Sequence, residues 1–145
     1  MTPGAGGTSL EQAPPALAGL LESLDRDGVA WSLLRPPASV AAPEGDVDVL
    51  VAPDRLAAVE SRLAERDFVL MPMPGPDVHG VGYDREAGRF VWIHAQARLQ
   101  VAGAVVEADE VLADTVVEEG LRRPGDGWLL WILLLRALVD KGELA

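Results

Sequence analysis

The apolar positions of this chain change period several times, and each change predicts an element. Leu17, Leu20, Leu21 and Leu24 recur at helical spacing behind Pro14 and Pro15, which suit a first turn, and Gly28 supplies a stop. Val29 to Leu34 then reads as a strand, ended by Arg35-Pro36-Pro37, because proline has no N–H for ladder pairing. A loop of about a dozen residues leads to a second strand, Asp46 to Val51. Pro53 opens a second helix with Leu56, Val59 and Leu63 as its apolar stripe, and Phe68 to Met71 is a third short strand broken by Pro72, Pro74, Gly75 and Pro76. Val78 to Tyr83 and Arg89 to Ala97 flank the polar segment Asp84 to Gly88 and predict a hairpin. In its second arm Phe90, Trp92, His94 and Gln96 share one face, with Val91, Ile93 and Ala95 on the other.

After Leu99 to Val101 and a glycine turn, Val105 to Val117 fits helix and strand equally. Asp126 can cap a last helix running from Gly127 or Trp128 towards Lys141, with Trp128, Trp131, Leu135 and Leu138 on one face and apolar first turns all round. A helix that oily is normally buried, or covered by a second domain or another copy of the chain. The pattern therefore predicts an α/β (α+β) domain over residues 15–145, a mixed sheet flanked by helices and closed by an apolar C-terminal helix. Residues 1–14 read as a flexible N-terminal tail.

Composition narrows the function classes. A chain of 145 residues is one domain with a sizeable core, and its lack of cysteine removes disulfides, thiolate nucleophiles and Cys-based zinc sites. A net charge of -11 argues against long nucleic acid, which needs a basic face to gather phosphates. Residues 1–8 lack the basic and apolar regions of a signal peptide, and the run Trp128 to Val139 is too short for a membrane span and contains Arg136. A cytoplasmic protein is expected.

The chemistry concentrates in Gly45-Asp46-Val47-Asp48-Val49-Leu50-Val51. Alternation along a strand points Asp46 and Asp48 the same way and sends Val47, Val49 and Val51 into the opposite layer. Two like charges then share a small volume, which calls for a cation, a shared proton or open water. A divalent metal is the sharp reading, and a solvated strand start is the bland one. His94 divides evenly between ligand and hydrogen-bonded strand residue, whereas His79, among glycines, reads as structural. Arg35 stands beside the predicted cleft and is either a bidentate phosphate contact or a surface charge. Lys141 suits a helix C-terminus, and Trp128 and Trp131 suit core or interface anchoring.

The order helix, strand, loop, strand with Gly-Asp-x-Asp, helix, strand, hairpin resembles the minimal nucleotidyltransferase fold of the polymerase-beta superfamily. More closely it is similar to an uncharacterised bacterial nucleotidyltransferase-like family, in which a Trp…Leu-Arg strand precedes Gly-Asp-(Ile/Val)-Asp. Here the matching residues are Trp31, Leu33, Leu34, Arg35 and Gly45 to Val51, then Leu63 and Phe68, the strand Trp92 to Leu99, and Trp128 to Gly142.

The resemblance implies transfer of a nucleoside monophosphate from a nucleoside triphosphate to a small-molecule, sugar or protein acceptor, with Mg2+ or Mn2+. It places Asp46 and Asp48 as catalytic carboxylates and metal ligands, with Arg35 and Gly45 on the nucleotide side. The third carboxylate of the family pattern falls on His94, an imidazole where hard magnesium prefers anionic oxygen. Upstream, Arg35-Pro36-Pro37-Ala38-Ser39 stands where the superfamily carries a Gly-Ser pair. Both departures point towards a degenerate member, and manganese or zinc at Asp46, Asp48 and His94 is the transition-metal version of the site. The reading from a different class is a catalytically inactive binding or interaction module that uses the acidic cleft or the Trp128 helix, the latter joining a second copy or domain.

Overall fold

The computed structural model describes residues 10–34, 45–101 and 103–140. The described chain forms α1 (Pro15–Arg26), β1 (Trp31–Leu33), β2 (Asp46–Val51), α2 (Leu56–Glu65), β3 (Val69–Met71), β4 (Val78–Asp84) and β5 (Arg89–Gln96). There follow β6 (Arg98–Val101), β7 (Ala104–Glu107), α3 (Ala108–Leu112), β8 (Thr115–Glu118), β9 (Leu121–Pro124) and α4 (Asp126–Asp140). It is a mixed α+β fold. Five strands form one sheet in the order β1-β2-β5-β4-β3, and β6-β7 and β8-β9 are separate hairpins. Every pairing in the large sheet is antiparallel except that of β2 with β5. Two parallel strands need a crossover, and here α2, β3 and β4 supply it.

One face of the sheet carries the main core. Val47, Val49 and Val51 of β2 and Val91, Ile93 and Ala95 of β5 pack against Leu17, Leu20, Leu21 and Leu24 of α1 and Leu56, Val59 and Leu63 of α2. These are the stripes that the helical and alternating spacings predict. Trp31 is fully buried among them, and its indole N–H donates to Asp25 Oδ1 at 3.0 Å. Among the described residues the opposite face is covered at the β1–β2 end, where Leu34 and Leu50 meet Leu99, Ala108, Val111 and Ile132 from the β6–β7, α3 and α4 region. Towards β3 and β4 that face is open, and Val69, Met71, Tyr83, Phe90 and Trp92 are exposed on it.

Several details depart from the sequence expectations for identifiable reasons. Asp84 is the last residue of β4 and not part of the loop: its buried carboxylate accepts from the Ala16 N–H at 2.7 Å and the Ala87 N–H at 2.8 Å, capping the start of α1 and the turn together. The ambiguous stretch 105–117 is neither one helix nor one strand but β7, the short α3 and the beginning of β8. The folded chain also begins before residue 15, since Leu10–Gln12 forms a single turn, Leu10 N–H donates to Glu119 O at 3.1 Å and Ala13 is buried. Asp126 lies inside α4, where its carboxylate accepts from Arg123 Nη1 at 2.9 Å. Outward-facing Leu130, Leu133 and Leu134 of α4 are exposed. Among the described residues no helix is long and apolar enough to cross a membrane.

Trp31 ties α1 to the edge of the sheet by packing and by its hydrogen bond, so Trp31→Ala should remove about 3–5 kcal/mol of stability, the range for a large aromatic deleted from a core. A urea titration followed by far-ultraviolet circular dichroism measures it, and a loss under about 1 kcal/mol would contradict the packing described.

Candidate functional site

The site is assembled by strand register. Pairing of β2 with β5 sets Asp46 opposite Trp92 and Asp48 opposite His94, and pairing of β5 with β4 sets His94 opposite His79. Because alternate residues share a face, Asp46, Asp48, His94 and His79 all project from the face opposite the main core. Gly45 precedes them with φ +81, a left-handed conformation that costs a residue with a Cβ about 1–2 kcal/mol. A Cβ there would meet no described atom within 4 Å, so the requirement is conformational. It turns the chain into the start of β2.

His94 is clamped between two carboxylates. Its Nδ1 lies 3.1 Å from Asp48 Oδ1 and its Nε2 lies 2.8 Å from Asp77 Oδ2. Carboxylate oxygens accept, so both ring nitrogens serve both bonds only when each carries a proton, that is, as imidazolium. The bond to Asp48 is the largest influence, burial of the ring opposes it, and the bond to Asp77 adds to it, lifting His94 from 6.5 to about 9. Asp48 is itself buried, and Arg136 of α4 brings Nη1 to 3.7 Å from its second oxygen. A buried carboxylate is tolerable only when paired in this way.

His79 stacks on His94 with ring centroids 4.2 Å apart and planes 15° from parallel. Asp46, exposed at the head of β2, completes a cluster in which one ligand atom each from Asp46, His79 and His94 lie within 4.8 Å of one another. His79 also lines a cavity of about 350 Å³, together with Asp77, Met71, Met73 and Glu60. The arrangement can hold a cation, hold a proton between carboxylates, or accept a ligand across the open face.

Of the residues singled out by sequence, Asp48 meets His94, Asp46 joins His94 in the cluster with His79 that does not include Asp48, and Gly45 shapes the entry to β2. Arg35 and Lys141 lie outside the described residues. Sequence reasoning missed Asp77, His79 as a neighbour of His94, and Arg136 as the partner of Asp48. The first two were accessible in principle: pairing across the hairpin keeps residue numbers at a constant sum, and placing Asp84 opposite Arg89 puts His79 opposite His94, with Asp77 two residues back on the same face. Counting Asp84 into the loop shifts the register by one and hides the relation.

The protonated clamp makes a signed prediction. A group whose folded pKa is raised stabilises the fold most below its unfolded value, here 6.5, and loses that contribution as pH rises through about 9. The full shift is worth about 3 kcal/mol, and solvent on the 20 % of the side chain that is exposed lowers the realised figure. Wild-type protein should therefore lose about 2–3 kcal/mol more than His94→Gln between pH 6 and pH 10 in parallel urea titrations. Equal pH profiles for the two proteins would show that the clamp is not formed. Comparison of the chain with protein-family models, curated proteins and solved structures finds no match.

Proposed function

We propose that this chain is a nucleotidyltransferase-like domain whose acidic cleft binds a ligand without transferring a nucleotide. One observation carries the reading: the second aspartate of the Gly-Asp-x-Asp motif, Asp48, is committed within the fold to His94 and faced by Arg136. Transfer with two magnesium ions needs a set of carboxylates converging on hard cations. Here the groups that converge with Asp46 are two imidazoles, and the imidazolium of His94 already supplies the positive charge between the acids. These residues do not fit a magnesium–triphosphate centre.

The geometry also suits a bound ligand. The cluster adjoins an open sheet face with exposed Tyr83, Phe90 and Trp92, which offers apolar and stacking surface beside a polar anchor, the usual composition of a small-molecule site. The active reading keeps one point in its favour, namely that Asp46 and Asp48 share a face as a metal-binding pair would.

The two readings separate in one experiment. The full chain is heated with Mg2+ or Mn2+ and each of ATP, GTP, CTP and UTP, and pyrophosphate release is followed in the same mixtures. For a binding module without transfer, wild type releases no pyrophosphate, and magnesium with a nucleoside triphosphate leaves the melting temperature within about 1 °C. His94→Asp, which puts a carboxylate at the third position of the family pattern, should gain a magnesium-dependent rise of several degrees, the size expected of a ligand near 100 times its Kd. Pyrophosphate release by the wild-type chain would overturn the proposal.

A further inference from the structure

We propose that Asp46, His79 and His94 form a site for one divalent transition-metal ion of the zinc class. The inference goes beyond the nucleotidyltransferase-like reading and does not depend on it. The chain has two histidines and no cysteine, and the fold brings both histidines to one point, opposite each other in the β4–β5 register and in ring contact at 4.2 Å. Asp46 adds a carboxylate from the neighbouring strand, with its ligand atom and those of the two imidazoles all within 4.8 Å. Two imidazole nitrogens and one carboxylate oxygen are a donor set for zinc and its neighbours and a poor one for magnesium.

Placement favours the ion further. The three donors stand on three adjacent strands, β2, β5 and β4, so the sheet holds their backbones at fixed spacing. Zinc–nitrogen bonds of about 2.0–2.1 Å in tetrahedral geometry need donors about 3.3 Å apart, so the cluster must tighten by roughly 1–1.5 Å. His79, partly exposed, can do this by turning out of its stack on His94. Binding also displaces the proton from one nitrogen of His94 to solvent and takes that nitrogen from its carboxylate partner. Asp48, with 9 % of its side chain exposed, is the better held, and Asp77, at 35 %, is the one that yields. Asp48 then keeps the remaining N–H and orients the ring, as carboxylates behind metal-bound imidazoles do. Exposed Asp46 leaves the fourth position open to solvent or a ligand.

The test uses the untagged full chain and the metal alone. Co2+ is titrated with visible absorption as the readout, Zn2+ is then added in competition, and the imidazole resonances of both histidines are followed by NMR. One equivalent of Co2+ should give ligand-field bands that Zn2+ abolishes, and Zn2+ should shift the signals of His79 and His94 together, while Mg2+ at the same concentration shifts neither. His79→Ala and Asp46→Asn should each weaken Zn2+ binding by about 10-fold or more with unchanged circular dichroism. His79→Gln serves as the second variant should the alanine change disturb the strand. Absence of a stoichiometric shift in both histidines, or binding unaltered by His79→Ala and His79→Gln, would overturn the site. Pyrophosphate release bears on the functional reading alone, so the two proposals fail separately.

Discussion

The parallel pairing of β2 with β5 is the constraint from which the site follows. Antiparallel neighbours can be joined by a tight turn, but this pair has to be closed by a crossover through α2, β3 and β4, and its register is set by packing of the valines and Ile93 on the core face. A slip of one residue would send Val47, Val49 and Val51 to the open face and the aspartates into the core. The apolar side of the strand therefore dictates where the acids stand. Asp48 faces His94 because Val49 faces Ala95.

Once that register is in place, electrostatics decides what the acids do. A chain carrying -11 net charge gathers three aspartates around one imidazole, and the cleft would be unstable without cations inside it. Among the described residues the fold supplies the doubly hydrogen-bonded His94 and Arg136 from α4. Arg136 reaches Asp48 because α4 packs with Leu50 and Leu99 on the same face that carries the acids. Packing of the second, smaller core and neutralisation of the cleft are thus one event. Towards β3 the described residues of that face are exposed, and the half-buried site lies at the boundary between the two regions.

That boundary is also where stability and chemistry compete. The bonds that raise His94 hold the cleft closed on a proton, while any metal must displace one of them. The same two carboxylates would keep the ring oriented or release it, according to which is more deeply buried. Asp48 sits under α4, and Asp77 sits at the end of the proline-rich approach to β4. The difference in their exposure gives the site a fixed side and a yielding side.

What could be read along the chain was the part governed by local periodicity. The leucines of α1, the Leu56, Val59 and Leu63 stripe of α2, the alternation of β2 and the faces of β5 need only the pitch of a helix or the pleat of a strand, which act over a few residues. That Asp46 and Asp48 point together belongs to the same class. Which residues meet them was decided by the register of the hairpin and by the docking of α4. Whether Asp84 is in the loop or the strand turns on a contact with α1, 68 residues away in sequence, and that one residue sets whether His79 or its neighbour faces His94. Arg136 reaches Asp48 only through the docking of α4. Side-chain direction is written into each strand by its own geometry, but the partner across a sheet is chosen by the packing of the whole molecule, and the chemistry of this cleft is a property of those partners.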